Sequence, residues 1–254
     1  MFNLFVAGHP LIKFPIIHST NNYAATLIRD NKLAEGTVIL ADYQTHGKGQ
    51  RGNDWVAEAG KNLLFSLVIY PEFLLVKEQY LISLITSLSV YHVVNELIND
   101  NSITKNVKIK WPNDILVEND KIAGILIENS SSSNLLDSAI IGVGLNVNQM
   151  DFGMIQATSI KNEIFEESKI MDVLAMFLEN FDRYLHLLKT KDNHSIREEY
   201  LSLMYLLNEP AFFLYQNKRI FAQVLGISEY GMLEMINMET MKVFLCDIKE
   251  IVYL

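Results

Sequence analysis

A glycine-rich loop is the first segment whose residues could do chemistry. Residues 47–52 read Gly-Lys-Gly-Gln-Arg-Gly. Backbone N–H groups in such a loop, with Lys48 and Arg51, could wrap an anion such as a phosphate. The spacing also fits the G-x-G-x-x-G of dinucleotide-binding folds, but that motif needs a helix directly afterwards, and residues 53–61 favour none. We therefore expect a mobile anion-binding loop, with a plain surface turn as the alternative.

Aromatic and charged residues follow the loop. Trp55 could stack on a nucleobase, although an isolated tryptophan is more often simple packing. Residues 110–114 read Lys-Trp-Pro-Asn-Asp, and residues 121–124 read Lys-Ile-Ala-Gly. A lysine at the mouth of a sheet could meet a phosphate as a point charge. Asp114 could hold a magnesium ion, which usually takes one or two carboxylates plus substrate oxygens. An ordinary solvated hairpin is the alternative.

A strand interrupted by glycines is the third candidate. Residues 141–148 read Ile-Gly-Val-Gly-Leu-Asn-Val-Asn. Glycine inside a strand often marks close approach by a ligand or another backbone, and asparagine offers both a donor and an acceptor to a base edge or an amide. A bulged core strand with a polar exit is the alternative. The six histidines have no metal-ligand spacing.

The surrounding pattern predicts the elements that must position these residues. Ser19 is a good helix start. Strands are predicted at 37–41, 63–70, 107–111, 115–117, 122–128 and 138–147, and further helices at 78–99, 172–189 and 195–206. Because strands and helices do not alternate regularly, we expect an α+β fold, a mixed β-sheet with packed helices, and not a doubly wound sheet.

The end of the chain has a different pattern. After Pro210 come only short strands, predicted at 211–216, 219–227, 231–237, 242–245 and 248–253. Five short strands in so few residues favour a small β-barrel. We therefore expect a catalytic domain over residues 1–208 and a second domain over residues 209–254.

Composition excludes several classes of protein. The 254 residues include 30 acidic and 21 basic side chains, giving a net charge of -9, so the chain as a whole does not attract nucleic acid. A single cysteine excludes a disulfide framework. The stretch between Glu78 and Glu96 lacks formal charge but contains polar residues, so we expect a buried helix and no membrane span. Without a signal pattern near Met1, a cytoplasmic location is the default expectation.

The motifs occur in one order, which closely resembles that of the biotin–protein ligases. The order is Ser19-Thr20-Asn21, then Gln44 with the glycine loop and Trp55, then Lys-Trp-Pro-Asn-Asp, then Lys-Ile-Ala-Gly-Ile-Leu-Ile-Glu, then Gly-x-Gly-x-Asn. The resemblance runs from about residue 15 to residue 149. It implies a catalytic domain of the class II aminoacyl-tRNA synthetase and biotin ligase type, followed by an SH3-like β-barrel. It also implies ATP-dependent biotinylation of a lysine on a biotin carboxyl carrier protein, through biotinyl-adenylate.

The resemblance implies residue roles as well. The biotin site would comprise Ser19, Thr20, Asn21, Gln44, Gly47, Lys48, Gly49, Gln50, Lys121, Gly124 and Gly142, with Gly144 also lining the slot. The ATP site would comprise Lys48, Gly49, Gln50, Arg51, Gly52, Trp55, Asn113, Lys121 and Asn146. The catalytic residues would be Lys121, Lys110, Asp114 and Arg51, with Asp114 as the magnesium ligand. ATP, Mg²⁺ and biotin are the expected small molecules.

Two positions depart from the family pattern. Arginines often stand where this chain has Lys48 and Gln50. Lys48 keeps the charge but loses the bidentate fork, and Gln50 loses the charge. We hypothesise that Arg51 compensates; an Arg51→Ala enzyme that retains biotinyl-adenylate as well as the parent would reject this.

Three other functions stay open from the sequence. A lipoate or octanoate ligase shares the resemblance in fold, but tends to carry a different, histidine-bearing motif. A biotin-responsive repressor would need a DNA-binding domain, and only 18 residues precede Ser19, so we expect a short form without one. A non-catalytic biotin or nucleotide sensor is suggested by Gln50. The sequence leaves open whether the protein is a monomer or a homodimer.

Overall fold

Eight strands form the first sheet of this protein. The computed structural model describes residues 4–30, 33–99, 104–248 and 250–254. The strands are β1 (Leu4–Val6), β2 (His9–Ile17), β3 (Val38–Gln44), β4 (Leu63–Ile69), β5 (Val107–Lys110), β6 (Asp114–Val117), β7 (Asp120–Ser130) and β8 (Ser138–Leu145). Their order is β1-β2-β3-β4-β8-β7-β6-β5. Strands β2 and β3 are parallel and the other neighbours are antiparallel, which makes the sheet mixed, as expected.

The sequence did not predict β1 and β2, which lie at one end of the sheet. Pro10 and Pro15 interrupt the apolar pattern of β2. Pro10 is the second residue of its strand, and Pro15 has no register partner in β3. The missing N–H of each proline therefore falls where a strand tolerates it.

Helices cover both faces of this sheet. They are α1 (Thr20–Arg29), α2 (Tyr80–Ile98), α3 (Ile160–Ile164), α4 (Ile170–Lys189) and α5 (Asn193–Ser202). Successive residues of β3 point to opposite faces: Leu40 belongs to the large core with α2 and α4, and Ile39 to a smaller one with Ala24 of α1. Because the sheet is covered on both faces, its strands lack the simple alternation of a half-exposed sheet.

The predicted helix α2 belongs to the core. Residues Val76–Ile98 are long and apolar enough to cross a membrane, but 67% of the 18-residue stretch that meets this criterion is buried inside the protein. Two of its buried polar residues are satisfied locally, since Thr86 donates to the carbonyl of Ile82 at 2.7 Å and Ser89 to that of Ile85 at 2.6 Å, whereas the buried Ser87 hydroxyl has no partner among the described residues. This helix therefore packs as the centre of the larger core.

Helix α5 is shorter than the predicted 195–206. It ends at Ser202, and Leu206 and Asn208 have positive φ angles of 57° and 59°. The apolar residues after Ser202 leave the helix and join the packing against β5, where Met204 is buried. Helix α3 was not predicted, because its five residues are too few to show a helical period.

A second, five-stranded antiparallel sheet ends the chain. Its strands are β9 (Pro210–Tyr215), β10 (Lys218–Ile227), β11 (Leu233–Asn237), β12 (Val243–Cys246) and β13 (Ile251–Tyr253), in the order β12-β11-β10-β9-β13. A register shift between Val224 and Gly226 bends β10. This small antiparallel sheet is what an SH3-like unit requires. The exact boundary, between residues 208 and 209, stays a prediction.

Hydrogen bonds tie the two sheets together. Trp111 Nε1 donates to the carbonyl of Gly231 at 3.0 Å. The Arg197 guanidinium donates to the carbonyls of Ile227 at 2.9 Å and Ser228 at 3.1 Å. These bonds fix β10 and the following turn against α5 and the end of β5, next to the Lys-Trp-Pro-Asn-Asp turn.

Candidate functional site

The first turn of α1 supplies one polar group of residues. Ser19 caps the helix, with its side chain accepting from the backbone N–H of Asn22. The Thr20 N–H donates to Gln44 Oε1 at 2.8 Å, which joins α1 to the end of β3. Ser19, Thr20 and Asn21 are each less than 5% exposed. Three polar residues are therefore held inside the protein, at the point where β3 ends.

Three glycines line the floor of the site. A Cβ on Gly142 would lie 2.4 Å from Asn21 Oδ1. A Cβ on Gly144 would lie 2.5 Å from Trp55 Cε2, and one on Gly124 would lie 2.8 Å from Trp55 Cζ3. No real side chain tolerates such contacts, so β7 and β8 need glycine here for close approach. The indole of Trp55 thus packs directly on the backbone of two strands.

The glycine-rich loop folds back on itself. The Gly49 N–H donates to the carbonyl of Asn53 at 2.7 Å, and the Trp55 N–H donates to that of Gly47 at 2.8 Å. Lys48 Nζ donates to Asn22 Oδ1 at 2.7 Å, which links the loop to α1. A single 3₁₀ turn spans Gln50–Gly52, and the next regular element is a strand. The arrangement lacks the helix of a dinucleotide-binding motif.

A lysine–carboxylate pair lies beside the loop. Lys121 Nζ is 2.7 Å from Asp114 Oδ1 and 5.4 Å from the centre of a Trp55 ring. Lys110 and Asp114 are opposite each other in the register of β5 and β6. The turn between these strands contains a cis peptide bond between Trp111 and Pro112. Burial lowers the pKa of the Lys110 amine, an effect that the Asp114 charge opposes and the Lys121 charge reinforces.

These groups surround two neighbouring cavities. The first has a volume of about 50 Å³, and its lining includes Ser19, Thr20, Asn21, Gln44, Lys48, Gly49, Gln50, Trp55, Asn113, Lys121, Gly124, Gly142 and Gly144. The second has about 210 Å³ and is lined in part by Lys110, Asp114, Lys121, Trp55 and Tyr253. Trp55 and Lys121 separate the two cavities. The polar end of α1 and the turn that carries Lys110 and Asp114 therefore line adjoining cavities that share these two residues.

Four predicted residues line neither cavity or are not described. Gly47 is buried behind the loop, where a Cβ would lie 2.7 Å from the carbonyl oxygen of Trp55. Gly52 lies in the 3₁₀ turn. Asn146 is buried and donates from Nδ2 to the carbonyl of Thr158 at 2.9 Å, so its amide supports the chain after β8. The side chain of Arg51 lies outside the described part of the structure.

The carboxylates of the second cavity fit a magnesium ion that arrives with a phosphate ligand. Asp54 and Asp114 both line this cavity. Among the residues that the structure describes, no three His, Cys, Asp or Glu side chains form a cluster able to hold a metal alone. Magnesium commonly takes one or two carboxylates and completes its shell with phosphate oxygens and water. Two carboxylates without a third ligand match that donor set.

Sequence reasoning missed two kinds of site residue. Ser66 is the only polar residue in β4, which is otherwise apolar and wholly buried. That isolated hydroxyl was a signal in the sequence, because a buried polar group needs partners. Tyr253 lies at the far end of the chain, and its ring centre is 4.8 Å from Lys110 Nζ. No local pattern points to that contact.

Solved structures resemble the whole fold. A biotin protein ligase from Aquifex aeolicus in complex with biotin and ATP superposes with a TM-score of 0.78, at 25% identity, over 95% of this chain and 97% of that one. A mutant of that ligase in complex with biotin gives a TM-score of 0.76 at 26% identity.

Curated relatives match over a shorter span. The bifunctional ligase/repressor BirA of Bacillus subtilis is 35% identical over 144 residues, which are 57% of this chain and 42% of that protein. This chain therefore matches about two-fifths of that relative's length. A biotin–[acetyl-CoA-carboxylase] ligase of Paracoccus denitrificans is 29% identical over 70% of this chain and 77% of its own length. Residues 13–146, more than half of the chain, match the model of one family, and this chain belongs to it: the biotin/lipoate A/B protein ligase family.

Proposed function

We propose that this protein joins biotin to a lysine of a biotin carboxyl carrier protein, using ATP and passing through biotinyl-adenylate. The observation that carries the proposal is a pair of adjoining cavities that share Trp55 and Lys121. Buried hydrogen-bonding groups from α1 and β3 form one end, and Lys121, Lys110 and Asp114 form the other. Biotin has a polar ring that would match the first end, and its carboxylate tail, next to a phosphate of ATP, would match the second. The biotin- and ATP-bound relatives support this choice.

The polar end would hold the ureido ring of biotin. Ser19, Thr20 and Asn21, which are buried, and the half-buried Gln44 offer hydroxyl and amide groups, and a buried polar group without a partner is costly. A substrate that lacks matching groups would leave several of them unsatisfied. Gly142 lets the Asn21 amide pack directly on β8, because it has no side chain.

The lysine end would activate the carboxylate. A carboxylate is repelled by triphosphate, and the positive charges of Lys121 and Lys110 would offset that repulsion. The biotin oxygen then attacks the α-phosphorus, a P–O bond forms, and pyrophosphate leaves. When bound, Mg²⁺ would add positive charge at the phosphates, and Asp54 and Asp114 are the residues that would hold it.

The loop would protect the product of this step. A mixed anhydride is readily hydrolysed, so water must be excluded until the acceptor arrives. Lys48, Gly49 and Gln50 of the loop line the first cavity, and Lys48 anchors the loop to α1. Gln50 and Arg51 complete the loop, and Arg51 is the residue proposed to replace the charge absent at Gln50.

Asp114 would act in the transfer step. After pyrophosphate has left, the carboxylate beside Lys121 is placed to attract the acceptor ammonium and take its proton. The neutral amine attacks the biotinyl carbonyl, an amide bond forms, and AMP leaves. We further propose that residues 1–208 carry this chemistry, that residues 209–254 form a separate unit, and that the reaction takes place in the cytoplasm.

Intact mass spectrometry of a carrier domain tests the proposal. Purified protein is incubated with biotin, ATP, Mg²⁺ and the carrier, and omission of ATP is the control. A gain of one biotin that depends on ATP supports the ligase. Pyrophosphate release without a mass gain indicates another acceptor or loss of the adenylate. If neither a mass gain nor pyrophosphate is seen, a lipoate ligase or a sensor is favoured. Measurements of lipoate binding and of nucleotide binding then distinguish these two functions.

A further inference from the structure

A chain of short contacts runs beneath the polar end of the first cavity. Ser66 Oγ lies 2.7 Å from Thr20 Oγ1 and 2.6 Å from Asn21 Oδ1. Asn21 Nδ2 donates to Glu128 Oε2 at 2.8 Å, on β7, which lies beyond β8 from β4. Ser66 is fully buried in β4, whose other residues are apolar. Ser66 and Glu128 therefore contact the ligand-facing residues from behind.

The positions of the protons in this chain follow from counting. Because a carboxylate only accepts, Glu128 holds Asn21 with its NH₂ outward and Oδ1 toward Ser66. Oδ1 has no proton, so the Ser66 hydroxyl is the donor, and Asn21 Oδ1 at 2.6 Å and Thr20 Oγ1 at 2.7 Å share its proton. The Thr20 hydroxyl donates its own proton to Gln44 Oε1 at 3.1 Å, so Thr20 Oγ1 is an acceptor toward Ser66. Gln44 Oε1 still accepts the Thr20 N–H at 2.8 Å.

The directed chain determines what the cavity offers. Thr20 Oγ1 and Asn21 Oδ1 keep lone pairs, and both residues line the cavity. Gln44 uses its oxygen for Thr20, which leaves its NH₂ as a donor. A ligand ring with N–H groups and one carbonyl satisfies this set. A disulfide ring or an alkyl chain has neither, so the remaining lone pairs of the buried Thr20 and Asn21 and the half-buried NH₂ of Gln44 gain no partner from it.

We propose that Ser66 and Glu128 are positioning residues that orient Thr20 and Asn21 as acceptors, so that the site selects a cyclic urea over the sulfur ring or acyl chain of lipoate-type substrates. This inference rests on the proposed function and deepens it. Neither residue needs to touch the ligand, because each acts through Thr20 or Asn21. Without Glu128, the Asn21 amide is free to turn its NH₂ toward the ligand N–H groups.

Calorimetric titration with biotin tests the inference. Glu128→Ala and Ser66→Ala are expected to weaken biotin binding about tenfold, the typical cost of a misdirected hydrogen bond to the ligand. Glu128→Gln keeps an acceptor oxygen and is expected to bind within about twofold of the parent. Glu96→Ala, an exposed glutamate on α2, is the matched control and is expected to bind as the parent does.

Each outcome has a distinct meaning. Glu128 is exposed at the surface, so its alanine variant is expected to keep its melting temperature even if the buried Ser66→Ala loses stability. If the parent binds biotin and Glu128→Ala binds it equally well, this inference is overturned and the proposed function is not. Loss in Glu128→Gln as large as in Glu128→Ala also overturns it, because the acceptor would then not be what matters. A parent that binds no biotin overturns the proposed function and this inference together.

Discussion

The indole of Trp55 lies directly on Gly144, so closely that a Cβ at Gly144 would come within 2.5 Å of Trp55 Cε2. The same ring covers Gly124, and its Nε1 is buried without an acceptor among the described residues. Ligand cavities commonly exceed 300 Å³, whereas the first cavity has about 50 Å³. Trp55 lines this small cavity, and we predict that it moves when a ligand enters.

The first prediction concerns stability. Gly144→Ala is expected to lower the free energy of unfolding by about 1–3 kcal/mol, the usual cost of overpacking, because the new methyl group meets the indole. In a Trp55→Ala background, the same Gly144→Ala substitution should cost much less, because the indole that the methyl group would meet is absent. Urea denaturation of the four proteins in this double-mutant cycle gives the coupling energy. Additive effects would show that Trp55 does not pack on Gly144 in solution.

The second prediction concerns ligand entry. The chain has two tryptophans, Trp55 and Trp111, so a Trp111→Phe protein reports on Trp55 alone. Biotin with ATP is expected to change its fluorescence intensity and emission maximum, because the indole leaves the glycine floor. A Trp55→Phe protein, which keeps Trp111, should give little change. An unchanged Trp55 signal at saturating ligand, verified by calorimetry, would mean that the ring stays in place.

The elements of the site were largely predictable because their signals are local. Ser19 caps α1 as its residue type predicts. The interior glycines of β8 do mark a close approach, here by Asn21 and Trp55. Strand β2 was missed because prolines interrupt its pattern, and β1 because its three residues are too few to show one. Which residues meet across the fold was less accessible: only the strand order brings Glu128 of β7 to Asn21, and no periodicity encodes that order.

The third prediction uses the lowered pKa of Lys110. Burial is its main cause, so in the folded protein the amine loses its proton below the ordinary value of 10.5. Between the lowered pKa and 10.5, the unfolded chain binds more protons at this amine than the folded one. The free energy of unfolding therefore rises with pH in this range. Lys110→Met removes the group.

The measurement is therefore a difference between two proteins. The unfolding free energy of the parent, minus that of Lys110→Met, should increase from about pH 7 to about pH 10. Tyrosines that titrate in this range affect both proteins and largely cancel. A difference for Lys110→Met that falls with pH would contradict the assigned direction.

The fourth prediction separates the two chemical steps at Asp114. Asp114→Asn keeps the size of the side chain but loses the charge beside Lys121. Transfer to the carrier should fall about 100-fold, the scale of a lost general base. Adenylate formation should fall less, because Asp54 and the phosphates remain available to Mg²⁺. Single-turnover transfer from preformed biotinyl-adenylate measures the second step, and pyrophosphate release measures the first.

Asp120→Asn provides the matched control for that experiment. Asp120 begins the strand that carries Lys121, but it lines neither of the two cavities. The same change of charge at this position should leave both steps near the parent rate. If Asp114→Asn transfers biotin as fast as Asp120→Asn, then Asp114 neither receives the proton nor guides the acceptor. Its pairing with Lys121 would then serve only to hold that lysine, and a slower adenylation step would be its remaining signature.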